Sequence, residues 1–217
     1  MIVVYWHYFS LEGKAAMSLV QAVICDQFAL VCGEQQLTLN NGSVLHNFRK
    51  IFKLNEYVMI GLSGSMDDNY YLFQDYLTID FEIKEGCSDS LMEVFDKVTA
   101  RYREMTEQGE CDVFSLVCGW NGFGFEGKTF YINSQFGEES RITSVRPEHE
   151  KDAKLISCGD NRHFDNFMAG VYRYGAELYG LQKAFRDTLA QGVMFDEFID
   201  KNAQFELIRR PKRDAEY

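Results

Sequence analysis

The chain has 217 residues, and its 33 acidic side chains outnumber its 22 basic ones, giving a formal net charge of −11. A surface this acidic repels phosphate backbones and anionic membranes, which argues against general nucleic-acid or membrane-surface binding. With 46% apolar and 15% aromatic residues it can build a sizeable core, and no apolar run approaches the roughly 20 residues of a spanning helix.

The first seventeen residues, MIVVYWHYFSLEGKAAM, stand apart. Ile2–Phe9 is apolar and aromatic but lacks the basic lead of a secretory signal. A propeptide, an upstream start, an added segment or an ordinary extra strand are the readings open for it. From Leu19 to Glu34, LVQAVIC and FALVCGE flank Asp26-Gln27 and predict a hairpin. A polar loop, Gln35–Gly42, follows. KIFKL and YVMIGLS then predict a second hairpin around Asn55-Glu56. MDDNYYLFQDYL reads as a helix with Asp67 and Asp68 in its first turn. Another helix begins near Ser88, where Leu91, Val94, Phe95, Val98 and Tyr102 recur at helical spacing.

Strands return with DVFSLVCGW, a loop NGFGFEGK, TFYINSQF and DAKLISC. Helix is expected through Phe164–Gly180 and Leu181–Leu189, and FELIRR closes as a strand before a charged tail at 211–217. Two sheets packed together with helices outside fit this order, as one domain over 18–210. The six cysteines form no CxxC pair and read as reduced core thiols, and the four histidines lack zinc-site spacing. No metal or cofactor is expected.

Ser18 precedes the first strand of the hairpin, Glu34 ends its partner and Lys50 begins the next strand, in equal steps of sixteen. Singly each reads as a surface residue. Together, they put a serine, a carboxylate and a lysine at one sheet end, because hairpin partners start and end side by side. In this register, with Gly64 following, the chain resembles the proteasome β-type family of N-terminal-nucleophile hydrolases. That family carries a threonine nucleophile, an acid, a lysine and a glycine at these intervals. NFRKIFKLNEYVMIGLSGSMDD resembles its corresponding segment, and Thr38 sits four residues after the acid, as in the family. Serine in place of threonine, Glu34 for aspartate, Gln36 for arginine, Met17 before the nucleophile and EFIDKN near the end depart from the pattern.

The resemblance implies an α+β fold, a four-layer αββα sandwich of two antiparallel sheets. It implies peptide-bond hydrolysis by Ser18 with residues 1–17 removed, the freed α-amine serving as general base at a reference pKa of roughly 7.7–8.0. Lys50 would supply positive charge, Glu34 would orient it, and the Gly64 N–H would hold the oxyanion where a strand gives way to a helix. Cys158 falls where the family has a helper serine; a buried thiol is the other reading. Thr38 and Gly64 would bind an extended substrate, with Leu37, Phe48, Phe52, Leu62 and Met66 forming an apolar specificity pocket or simply core. The implied partners are peptide or unfolded protein, further copies of the chain in a ring, and an ATP-dependent unfoldase, in the cytoplasm. A non-catalytic subunit blocked by its N-terminal extension and a small-amide hydrolase are the alternatives.

Overall fold

Val20–Cys25 (β2) and Phe28–Glu34 (β3) pair antiparallel from Val20↔Gly33 to Ile24↔Ala29, the hairpin expected from two strand-like runs flanking a polar turn. In the computed structural model, residues 3–9, 18–38, 43–66, 75–79, 90–106, 111–133, 137–150, 152–158 and 161–211 are described. The helix expected at Met66–Leu77 lies mostly outside them; 75–79 is a helical turn. Val3–Phe9 is a strand (β1) that pairs in parallel with Asp152–Cys158 (β11), from Val3↔Asp152 to Phe9↔Cys158. Its sheet is completed by Ala203–Arg209 (β12), in the order β1-β11-β2-β3-β12. The apolar N-terminal run is thus an edge strand, and one pairing in this sheet departs from the all-antiparallel expectation.

The second sheet runs β10-β9-β8-β7-β6, all antiparallel, from Ile51–Lys53 (β6), Val58–Met66 (β7), Cys111–Trp120 (β8), Phe125–Asn133 (β9) and Glu138–Val145 (β10). The expected NGFGFEGK loop shrinks to residues 121–124, because Phe125–Lys128 continue the ladder with β8. Polar EESRITSV gives no strong strand signal, yet β10 forms as an edge strand half open to solvent. Leu37–Thr38 (β4), inside the expected polar loop, and Val44–Leu45 (β5), just beyond it, make a short separate ladder.

Helix α1, Leu91–Thr106, opens on a capping box: Ser90 Oγ accepts from Glu93 N at 3.3 Å while Ser90 N donates to Glu93 Oε2 at 2.8 Å. The stretch read as one helix from Phe164 to Gly180 is divided. Asn161–Tyr174 (α2) stops at Gly175, whose φ of 85° and bond to Val171 O at 2.9 Å form a left-handed cap, and Leu178–Gly192 (α3) follows.

Strand alternation sends side chains into three cores. Val20, Ala22 and Val31 meet Met59, Phe114 and Leu116 between the sheets. Val23, Leu30 and Cys32 on the opposite face meet Phe167, Leu181 and Phe185 of α2 and α3. Ile60, Leu62 and Phe130 on the outer face of the second sheet meet Val94, Phe95 and Tyr102 of α1. Among the described residues no helix is long and apolar enough to cross a membrane.

Candidate active site

The β2–β3 hairpin brings its two open ends together, and with them Ser18 and Glu34. Ser18 lies two residues ahead of β2, Glu34 closes β3, and Glu34 N donates to Leu19 O at 3.1 Å. Lys50 reaches the same point from the other sheet. It precedes β6, which pairs with β7 through Ile51↔Gly61, so the three residues meet between two sheets and not at the end of one. Two glycines permit the approach. A Cβ on Gly33 would stand 3.3 Å from Ile51 Cγ1 and Cδ1, and one on Gly61 only 2.8 Å from Val20 Cγ1.

Lys50 Nζ donates to Ser18 Oγ at 2.5 Å and to Glu34 Oε1. The Lys50 and Glu34 side chains are 3% and 0% exposed, so neither charge has water as an alternative partner. Burial pushes the Glu34 carboxyl above its ordinary range and Asp200 adds to this, while the Lys50 ammonium and the Gln36 N–H pull it back. The second carboxylate oxygen, Oε2, accepts from Gln36 N at 2.5 Å, and Gln36 Nε2 in turn donates to Glu197 O at 2.7 Å and toward Thr38 Oγ1 at 3.4 Å. A lysine held this way lowers the energy of an oxygen anion at Ser18 and leaves the hydroxyl proton for a base.

Ser63 is a functional candidate that sequence reasoning missed. Its buried hydroxyl donates to the Ser18 carbonyl, fixing the main chain of the prospective nucleophile. The one available signal was a small polar residue at an alternating position in the apolar run VMIGLSGSM. Asp200, in the poorly matching EFIDKN segment, accepts from Gln35 N at 3.3 Å and faces His46 Nδ1 at 3.4 Å, bracing the chain just beyond Glu34.

The remaining expected residues divide. Gly64 adjoins Ser63 with a φ of 132°, a conformation that favours glycine, but it does not end its strand. Pairing continues from Gly64↔Val113 through Met66↔Cys111, because β8 is long enough to follow it. Thr38 sits in β4, paired with Val44, and touches the site through Gln36. Cys158 ends β11 opposite Val20, within the same sheet end as Ser18; its side chain and that of Met66 lie outside the described residues. Phe52 and Leu62 are buried in the core beneath α1 with Phe48 packed against them, whereas Leu37 is a buried residue of β4. An open cleft of about 600 Å³ between the 75–79 turn and α1, lined by Tyr76, Ile79, Lys97 and Arg101, shares no residue with the site. Among the described residues no group of three or more His, Cys, Asp or Glu is placed to hold a metal ion.

No family model matches the chain, and no curated protein does. A solved structure does: eukaryotic HslV from Trypanosoma brucei is similar at a TM-score of 0.51 and 16% identity, over 88% of this chain and 99% of that one. At that identity the likeness is one of fold. With its helices and sheets that are antiparallel apart from the β1–β11 pairing, the chain has a proteasome-type fold.

Proposed function

We propose that the chain is a peptidase subunit in which Ser18, exposed by removal of residues 1–17, is an N-terminal nucleophile. The observation that carries this reading is the Lys50 ammonium, seated between Ser18 Oγ and a fully buried Glu34 carboxylate. Three cores, one between the sheets and one under the helices on each side, support a four-layer αββα sandwich of the N-terminal-nucleophile kind. The likeness to HslV supports the same reading and, with it, a ring of identical subunits served by an unfoldase.

In this mechanism the freed α-amine takes the Ser18 hydroxyl proton as Oγ attacks the peptide carbonyl. Lys50 stays protonated, favours a neutral amine beside it and stabilises the developing charge. The Gly64 N–H faces the oxyanion. The amine returns its proton to the leaving peptide amine, and water then hydrolyses the ester. Extended substrate would lie along Thr38 and Gly64, with an apolar side chain preferred before the cleaved bond.

N-terminal sequencing and intact mass of the working assembly test the first step, and turnover of an unfolded protein tests the second. A chain beginning at Ser18 should cleave, and Ser18→Ala should reduce turnover by about 10³-fold or more with the assembly intact. An active assembly that retains residues 1–17 defeats the mechanism. An inert assembly with a free Ser18 favours the non-catalytic subunit, and hydrolysis of small amides without peptide cleavage favours the amidase.

A further inference from the structure

Lys50 is held by its main chain as well as by its ammonium, and that second hold crosses from the opposite sheet. β6 is the edge strand of its sheet, with β7 on one side. On the β7 side, Leu62 N donates to Lys50 O at 2.9 Å. On its other side, a carboxamide from β12 meets the strand, and Arg49 Nε also donates to Ile51 O at 3.0 Å. Gln204 Oε1 accepts from Lys50 N and from Ile51 N, both at 3.1 Å, while Gln204 Nε2 donates to Ile51 O at 2.7 Å. A side-chain amide has the same donor and acceptor as a peptide unit, so Gln204 stands in for one residue of a missing neighbouring strand.

The reach is built into the sheets. Gln204 is paired with Gly33, and Gly33 is where the absence of a Cβ lets Ile51 come close; a Cβ there would also stand 3.8 Å from Lys50 Cβ. The same register position therefore admits the start of β6 and pins it. Because the Lys50 side chain is long and its tip must meet two oxygens, the position of its backbone decides whether Nζ can serve both.

We propose that Gln204 is a positioning residue, a surrogate strand that sets the Lys50 main chain and thereby the place of its ammonium between Glu34 and Ser18. Its kinetic consequence rests on the peptidase reading; its structural consequence does not.

The test uses the full chain and the Ser18-initiated chain, with Gln204→Leu and Gln204→Glu. Leucine keeps the bulk and removes all three bonds, whereas glutamate keeps the acceptor for both N–H groups. Amide hydrogen exchange reads the clamp without any activity. In Gln204→Leu the Lys50 and Ile51 amides should exchange at least tenfold faster, with the Val23 and Leu30 amides of the β2–β3 hairpin little changed; in Gln204→Glu they should stay near wild type. Equal protection in all three chains overturns the proposal. On peptide substrate, Gln204→Leu should lower kcat roughly 10- to 100-fold with KM within about twofold, and glutamate should restore most of it. The ascending limb of the kcat/KM profile should move to higher pH in Gln204→Leu, since a displaced ammonium no longer favours the neutral Ser18 amine. Loss of packing alone leaves that limb where it is and makes leucine the better substitute, a result that also overturns the proposal. If the wild-type chain with a free Ser18 cleaves nothing, the peptidase reading falls while exchange still decides the clamp.

Discussion

Replacing Lys50 with methionine removes a buried ammonium while nearly preserving its volume, and leaves Glu34 with no cation. Its side chain has 0% exposure, so an unpaired carboxylate there is costly enough that the group takes up a proton instead. In the unfolded chain the same carboxyl has its ordinary pKa of 4.5. Holding it neutral at pH 7 therefore costs up to about 3 kcal/mol, at about 1.4 kcal/mol per pH unit between the two states. The sign follows from the proton count. Glu34 binds its proton more tightly when folded, so this contribution is fully present below pH 4.5 and is lost as pH rises through the folded pKa. Removing Lys50 raises that folded pKa further and extends the loss over a wider range. Urea unfolding of wild type and Lys50→Met at fixed chain concentration, from pH 5 to pH 8, should show a gap that widens with pH. Near pH 7 the gap is at most that cost, less what wild type already forfeits through its own raised pKa, and corresponds to a fall in Tm of no more than roughly 6–12 °C. Lys50→Met with Glu34→Gln should erase the widening, because the carboxyl that Lys50 neutralises is gone. A gap of the same size at pH 5 and pH 8 refutes the reasoning, as it would mean that Glu34 is not confined with Lys50 as its cation.

Gly61→Ala places a Cβ 2.8 Å from Val20 Cγ1 and 3.1 Å from Val31 Cγ1, so the packing between the sheets must shift at Val20, two residues beyond Ser18. A loss of about 1–3 kcal/mol in urea unfolding is expected, with peptide turnover lowered in the folded fraction. Cys32 and Cys118 are buried thiols whose ionisation burial pushes far up, and Cys25 is half-buried and raised by the same cause. In native chain at pH 8, iodoacetamide should label Cys25 slowly and spare Cys32 and Cys118, as peptide mapping will read. Burial opposes ionisation of Glu126, but bonds from Lys128 at 2.6 Å and Asn121 at 2.6 Å outweigh it and hold the carboxyl below its ordinary 4.5. The stability a depressed pKa contributes is fully present above pH 4.5 and is lost as pH falls through the folded value, so Glu126→Gln should be destabilising at pH 7 and progressively less so as pH falls below 4.5.

The hairpin ends that bring Ser18 and Glu34 together were legible because two apolar, strand-like runs flank a polar two-residue turn. Lys50 was legible as a partner only through spacing and family likeness. That it arrives from the opposite sheet depends on which strand β6 pairs with, a long-range choice that no local pattern records. Ser63 and Gln204 were invisible for a related reason. Each acts through a single hydrogen-bonding tip on the main chain of a residue 45 or 153–154 positions away, and nothing in its own neighbourhood marks it. The β10 strand was missed because an edge strand with one solvated side keeps a polar sequence. The break between α2 and α3 turned on Gly175, which reads as tolerable inside a helix until its φ of 85° is seen.

The parallel pairing of β1 with β11 has a consequence for synthesis. Val3 pairs with Asp152 and Phe9 with Cys158, so β1 waits during synthesis for partners made some 149 residues later. At typical elongation rates of about 5–20 residues per second, that wait is roughly 7–30 s. For its duration VVYWHYF, an uncharged aromatic run with neither proline nor glycine, is an unpaired β-forming segment of the kind that joins other chains. This segment is therefore an aggregation hazard of the nascent chain, and a holdase that shields it until β11 emerges would raise the yield of folded protein.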